Sequence, residues 1–180
     1  VTINAVFFCG KIKIMYVYME RDLTSISIVK RSKVISGKCT ALSIEPCIIN
    51  GENLIIKTHR KKDTYNNEKK NYILLQNENF LPKLIYFDDK NLKLLITDVG
   101  NALPTIKNIN LKDYENELVN IINIMHDKYN IFHNDLRPKN ICIDENNNIK
   151  LIDFDRTCKT EKENRYIFKY SVHNFPSFYF

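Results

Sequence analysis

From position 26 onward, short apolar runs alternate with polar turns. Ile26–Val29, Val34–Ile35, Thr40–Ile44, Cys47–Ile49 and Leu54–Lys57 are too short for helices and are bounded by turn formers, so they predict strands. Asn50-Gly51-Glu52-Asn53 predicts a tight hairpin between the last two. The pattern then changes. Tyr65–Gln76 is made of helix formers and puts Tyr65, Tyr72, Leu75 and Gln76 on or near one face. Phe80-Leu81-Pro82 ends that helix, and Leu84–Phe87 and Leu92–Ile96 predict two strands around the turn Asp88-Asp89-Lys90-Asn91. A second helix is expected from about Leu111 to Lys128, because Tyr114, Leu118, Ile121, Ile122, Met125 and Tyr129 recur at helical spacing. Its stripe reads as core. Ile141–Ile143 and Ile149–Ile152 flank Asp144-Glu145-Asn146-Asn147-Asn148 and predict a further hairpin.

Composition narrows the setting. A chain of 180 residues, 44% hydrophobic, makes one domain, or one domain in two small lobes. The net charge of +6 suits anionic partners such as nucleotides, phosphoproteins or nucleic acid. The basic residues scatter without forming a block, however, so charge alone names no partner and a nucleic-acid role is not expected. Five cysteines (9, 39, 47, 142 and 158) form no Cys-x-x-Cys pair, and no Asn-x-Ser/Thr site occurs. Reduced thiols in a cytoplasmic setting are expected. No apolar run approaches the roughly 20 residues that span a bilayer. Residues 1–19 are apolar but interrupted by Lys11 and Lys13, and predict an added edge strand or a poorly ordered extension. Charge following the apolar part argues against a signal peptide, and Met19 is a candidate start. The aromatic tail after Asp155 is expected to cap the core.

The candidate chemistry lies at the 141–152 hairpin. Asp135 and Asn140 precede it and Asp153 follows it. A hairpin brings its ends together, so three oxygen-bearing side chains converge, the donor type that holds magnesium and orients a hydroxyl for phosphoryl transfer. Asp144, Asn146 and Asn148 imitate the start of a calcium loop, but Ile149 stands where such a loop needs Gly. His133 reads as a brace for the loop it opens, and His59, His126 and His173 read as surface or structural. Lys57 ends a strand, where a solvated Lys is ordinary unless a carboxylate holds it, and Glu68 lies on the following helix. Ser36-Gly37-Lys38-Cys39-Thr40 is a polar loop whose amides suit a phosphate, or an ordinary turn.

Taken together, these features resemble the protein-kinase superfamily over roughly residues 34 to 156. His133-Asn134-Asp135-Leu136-Arg137-Pro138-Lys139-Asn140 is similar to the catalytic loop His-Arg-Asp-Leu-x-x-x-Asn. Asp153-Phe154-Asp155 resembles Asp-Phe-Gly, and Leu54-Ile55-Ile56-Lys57 resembles Val-Ala-Ile-Lys. Leu95–Val99 falls where a gatekeeper and hinge would lie.

The resemblance implies an α+β, kinase-like two-lobe fold with ATP in its cleft, a small antiparallel N-lobe sheet and a reduced helical C-lobe. Residues 20–99 would form the first lobe, 100–180 the second, and 1–19 an unassigned extension. It implies ATP and Mg²⁺ as cofactors. Asp135 would take the acceptor proton, Arg137 would touch the transferred phosphate, and Asn140 and Asp153 would hold magnesium. Lys57, paired with Glu68, would contact the α- and β-phosphates, Gly37 would cover phosphates, and the backbone near Asp98 would read adenine. Such catalysis is mostly positioning and charge neutralisation.

Several positions depart from the pattern. The Gly-rich loop keeps one Gly of three, Asn134 replaces the Arg that reads activation-loop phosphorylation, and Asp155 replaces Gly. No Ala-Pro-Glu follows, so the platform for a peptide substrate is expected to be short, with room for a partner protein to complete it. The expected activity is Ser/Thr protein phosphorylation. A small-molecule kinase of the choline or aminoglycoside type and a pseudokinase acting as a binding module are the alternatives. Short viral and RIO-type kinases are further parallels, and a viral origin would place the protein in a host cytoplasm.

Overall fold

The computed structural model describes residues 2–8, 11–17, 29–30, 41–106 and 111–159. These residues form two compact units, one from residues 1–76 and 83–98, the other from 77–82 and 99–180. The architecture is α+β.

In the first unit, β1 (Thr2–Phe8) and β2 (Lys11–Val17) form an antiparallel pair of their own. A five-stranded antiparallel sheet contains β3 (Val29–Lys30), β4 (Ala41–Ile49), β5 (Glu52–His59), β6 (Leu84–Asp88) and β7 (Lys93–Thr97), in the order β3-β4-β5-β7-β6. The β4–β5 hairpin turns at Asn50 and Gly51, both at positive φ (53° and 81°), the conformation a two-residue turn of this hand demands. β4 is one strand where two were expected. Its pairing with β5 runs through Pro46, opposite Ile55, and is broken only by a bulge between Ala41 and Ser43. The short β3 pairs with Cys47 and Ile48 but not with Pro46, so the imide sits where, among the described residues, one flank of the strand has no ladder partner.

Helix α1 (Lys62–Leu74) begins a turn earlier than its apolar residues indicate. Its inner face carries Tyr65, Glu68, Asn71 and Tyr72, with Leu75 just beyond, while Gln76, expected near that face, is exposed. Tyr65 and Lys69 both reach Asp89 in the β6–β7 turn, at 2.7 Å and 2.5 Å. Burial, and then the Asp89 carboxylate, push the Tyr65 hydroxyl well above its ordinary range.

In the second unit, the expected helix over 111–128 divides into three parts. A 3-10 turn (Leu111–Tyr114) leads into α2 (Glu115–Asn123), which ends in a π turn (Ile124–Lys128). Leu118, Ile121 and Met125 point inward. The wider last turn lets the Ile131 N–H reach the Met125 carbonyl (3.1 Å), closing the helix with both residues buried. β9 (Ile141–Ile143) and β10 (Ile149–Leu151) form the expected hairpin, and a two-residue strand, β8 (Asn101–Ala102), adds on the far side of β9.

Two tethers complete this sheet. The Ile149 N–H donates to Glu117 Oε1 of α2 at 2.9 Å, and the Leu151 N–H to the Phe80 carbonyl at 2.7 Å. α1 ends at Leu74, ahead of the Phe80-Leu81-Pro82 stretch expected to stop it, and that stretch instead lines this unit's core. Asp144 accepts from the Asn146 and Asn148 amides at 2.9 and 2.8 Å, and is spent on shaping its own turn.

Candidate functional site

β5 alternates, so Lys57 and His59 point to one face of the sheet while Thr58 points to the other. α1 repeats every three to four residues and brings Glu68 to the same place. The Lys57 Nζ lies 2.8 Å from Glu68 Oε1 and 2.7 Å from Oε2, and His59 Nε2 lies 2.5 Å from Oε2. All three side chains are buried, Glu68 completely. Burial pushes the Glu68 carboxyl up. The Lys57 ammonium and the His59 contact more than offset this and hold it at about 2. Glu78, beyond α1 in sequence, belongs to the second unit, where Lys128 (2.7 Å) and Tyr129 (2.6 Å) hold it.

In the second unit, the 133–140 loop is built around two crossings of the hairpin. His133 Nε2 donates to the Ile152 carbonyl at 3.0 Å, and its ring packs on Phe154 with centroids 4.8 Å apart. The Ile152 N–H donates to the Asn140 carbonyl at 3.0 Å, which places Asp153 one residue from the end of the loop. Asn140, buried, turns its amide nitrogen to the Asp135 carbonyl (2.8 Å) and to Asp135 Oδ2 (3.1 Å). Asp135 is 9% exposed and also accepts from Arg137 Nη2 at 2.6 Å. Asp135, Arg137, Asn140 and Asp153 therefore gather in one unit around one loop. Asp153 itself adopts a left-handed conformation (φ 70°, ψ 55°). That is a strained backbone for a non-Gly residue, of the kind that clusters at functional positions.

Of the other sequence candidates, Gly37 lies outside the described residues. Asp98 closes the first unit, exposed, with its N–H donated to the Asn53 carbonyl at 3.0 Å. That amide is engaged, so a base read at Asp98 would have to meet its carbonyl.

Three features escaped the sequence reading. His59 reads from the sequence as surface or structural; the structure makes it structural, buried against Glu68, a partner the sequence does not name. Only the register of α1 over β5 reveals the pairing. Arg156, two residues beyond Phe154, brings Nη1 to 3.9 Å from Asp135 Oδ1, so a second guanidinium flanks that carboxylate. Asn134 adopts positive φ (57°), which Asn tolerates. Its amide nitrogen reaches the Phe132 and Arg156 carbonyls (3.1 and 3.3 Å) and Cys158 Sγ (3.1 Å). Where the resemblance expects an arginine, this chain has a clip between the loop and the segment after the hairpin.

A family model for the protein kinase domain matches residues 49–176. This chain belongs to the protein kinase domain family. The match includes Lys57, Glu68, Asp98, Asp135, Arg137, Asn140 and Asp153, and extends past residue 156 into the aromatic tail. Gly37 precedes it. Among the described residues, no helix is long and apolar enough to cross a membrane.

Proposed function

We propose that this kinase-family chain is an ATP- and magnesium-dependent phosphotransferase that passes the γ-phosphoryl group to a Ser or Thr hydroxyl of a protein. The observation that carries the reading is Asp135. It is a nearly buried carboxylate fixed between Asn140 and Arg137, in a loop locked to the hairpin by the His133–Ile152 and Ile152–Asn140 bonds. A carboxylate so held can orient an acceptor hydroxyl and take its proton as the new O–P bond forms and the bridging P–O bond to the departing diphosphate breaks. Lys57, steadied by Glu68, supplies a fixed positive charge suited to nucleotide phosphates, and Arg137 supplies another suited to the transferred group.

The donor set fits magnesium. Asn140 spends its amide nitrogen on Asp135, which leaves Oδ1 as its remaining ligating atom, and Asp153 offers a carboxylate one residue beyond the Ile152–Asn140 bond. Few protein oxygens suffice, because magnesium keeps several waters and shares phosphate oxygens. The ion would neutralise phosphate charge.

Asn134 favours a second reading, a small-molecule hydroxyl kinase, since its clip offers no cation to a phosphorylated activation loop. Incubating the full chain with labelled ATP and magnesium, against a protein acceptor and separately against a panel of amino alcohols and aminoglycosides, separates the two. Label on protein Ser or Thr supports the first reading. Label only on small hydroxyl compounds replaces it with the second, and no label on either rejects both.

A further inference from the structure

Glu68 has two partners on β5, and the second is not part of the Lys–Glu pair that the proposed function uses. His59 Nε2 sits 2.5 Å from Glu68 Oε2, and both side chains are fully shielded from solvent. The other ring nitrogen, Nδ1, is buried without a hydrogen-bond partner among the described residues. Nδ1 has no acceptor among the described residues, and a proton is needed between Nε2 and the Glu68 carboxylate, so the proton the ring aims at Glu68 is the one on Nε2. The imidazole is fixed in turn. Its backbone N–H donates to the Leu92 carbonyl at 2.9 Å, and its ring meets Tyr65 of α1 edge-on, centroids 5.6 Å apart at 73°.

A Lys57–Glu68 pair alone would join two long side chains, each with several rotors. A short, planar donor anchored in the sheet removes that freedom from the carboxylate. We infer that His59 is a positioning residue: its Nε2–H fixes the Glu68 carboxylate, and through it the Lys57 ammonium, keeping the pair assembled in the isolated chain. The inference deepens the phosphotransferase reading and rests on it for its consequence in catalysis.

The test uses the full chain as wild type, Glu68→Gln, His59→Phe and His59→Gln. Nitrogen-15 NMR of the His59 ring should show a proton on Nε2, with the Nε2–H resonance displaced in Glu68→Gln. His59→Phe, which cannot donate, should lower kcat/KM for ATP about tenfold, the size of one hydrogen bond to a charged group, and leave the acceptor KM unchanged. His59→Gln, which can donate, should stay within about threefold of wild type. Wild-type kinetics in His59→Phe, equal impairment in both His59 variants, or a ring unmoved by Glu68→Gln overturns the inference. A wild-type chain that transfers no phosphate sinks the proposed function alone. The ring resonances then decide for His59, a displaced Nε2–H upholding its role and an unmoved one overturning it.

Discussion

At the scale of single residues, the Lys57–Glu68–His59 cluster places a full charge pair inside the first unit, and its stability follows pH. Glu68 ionises at about 2 in the folded chain, against 4.5 for an ordinary glutamate. A depressed carboxylate contributes stability that is complete above the unfolded value and is lost as pH falls through the folded one. Glu68 should therefore contribute on the order of 3 kcal/mol at pH 7, fading between about pH 4.5 and pH 2. Urea melts of wild type and Glu68→Gln at pH 7, 4.5, 3 and 2 should converge as the pH drops. A gap that stays constant to pH 2 would show that Glu68 is not held ionised. The candidate site residues were legible because their identities and order are chemical facts of the sequence: His133 to Asn140, Asp153, and Lys57 before a helix bearing a Glu. His59 was not. A histidine at a strand end looks unremarkable until the register of α1 brings Glu68 over it, and that register depends on tertiary packing.

At the scale of elements, hairpins with strong turn chemistry were readable. Asn50-Gly51 joins β4 to β5, and Asp144 to Asn148 joins β9 to β10. The differences lay where tertiary contacts overrule local signals. Pro46 reads as a break, but β4 pairs with β5 straight through it, and among the described residues nothing pairs with Pro46 on the other flank. The apolar stripe over 111–128 reads as one helix, but closing onto Ile131 widens its last turn. β8, two residues long, carries no periodicity at all. It depends on Gly100, whose φ of 97° favours glycine and where a Cβ would collide with the Ile143 carbonyl oxygen. Gly51 also has positive φ, 81°, but open space around it. Gly51→Ala should therefore cost about 1 kcal/mol, from backbone strain alone. Gly100→Ala should cost more, about 3 kcal/mol, and loosen β8 from β9. Denaturant melts give the two costs, and hydrogen exchange at Asn101 and Ala102 reports the loosening. Equal costs would mean that the contact with Ile143 yields.

At the scale of the whole molecule, each unit carries its own share of the candidate residues, those proposed for phosphate binding in the first and those proposed for transfer in the second. The kinase family match spans both. The net charge of +6 suits an anionic nucleotide but does not select one, which is why composition alone pointed to no function. Ligand binding to the folded chain raises its melting temperature by mass action. ATP with magnesium should therefore stabilise the protein, and Asp153→Ala should reduce that gain more than the gain from ATP alone. A gain independent of magnesium would remove Asp153 from the metal role. The most direct measurement is phosphate transfer from labelled ATP by wild type and by Asp135→Asn, with melting curves showing that both are folded. The variant should lose at least about a hundredfold in rate, because it keeps the shape of the carboxylate but cannot take the proton. Undiminished transfer by a folded Asp135→Asn would contradict the assignment of Asp135 as the base.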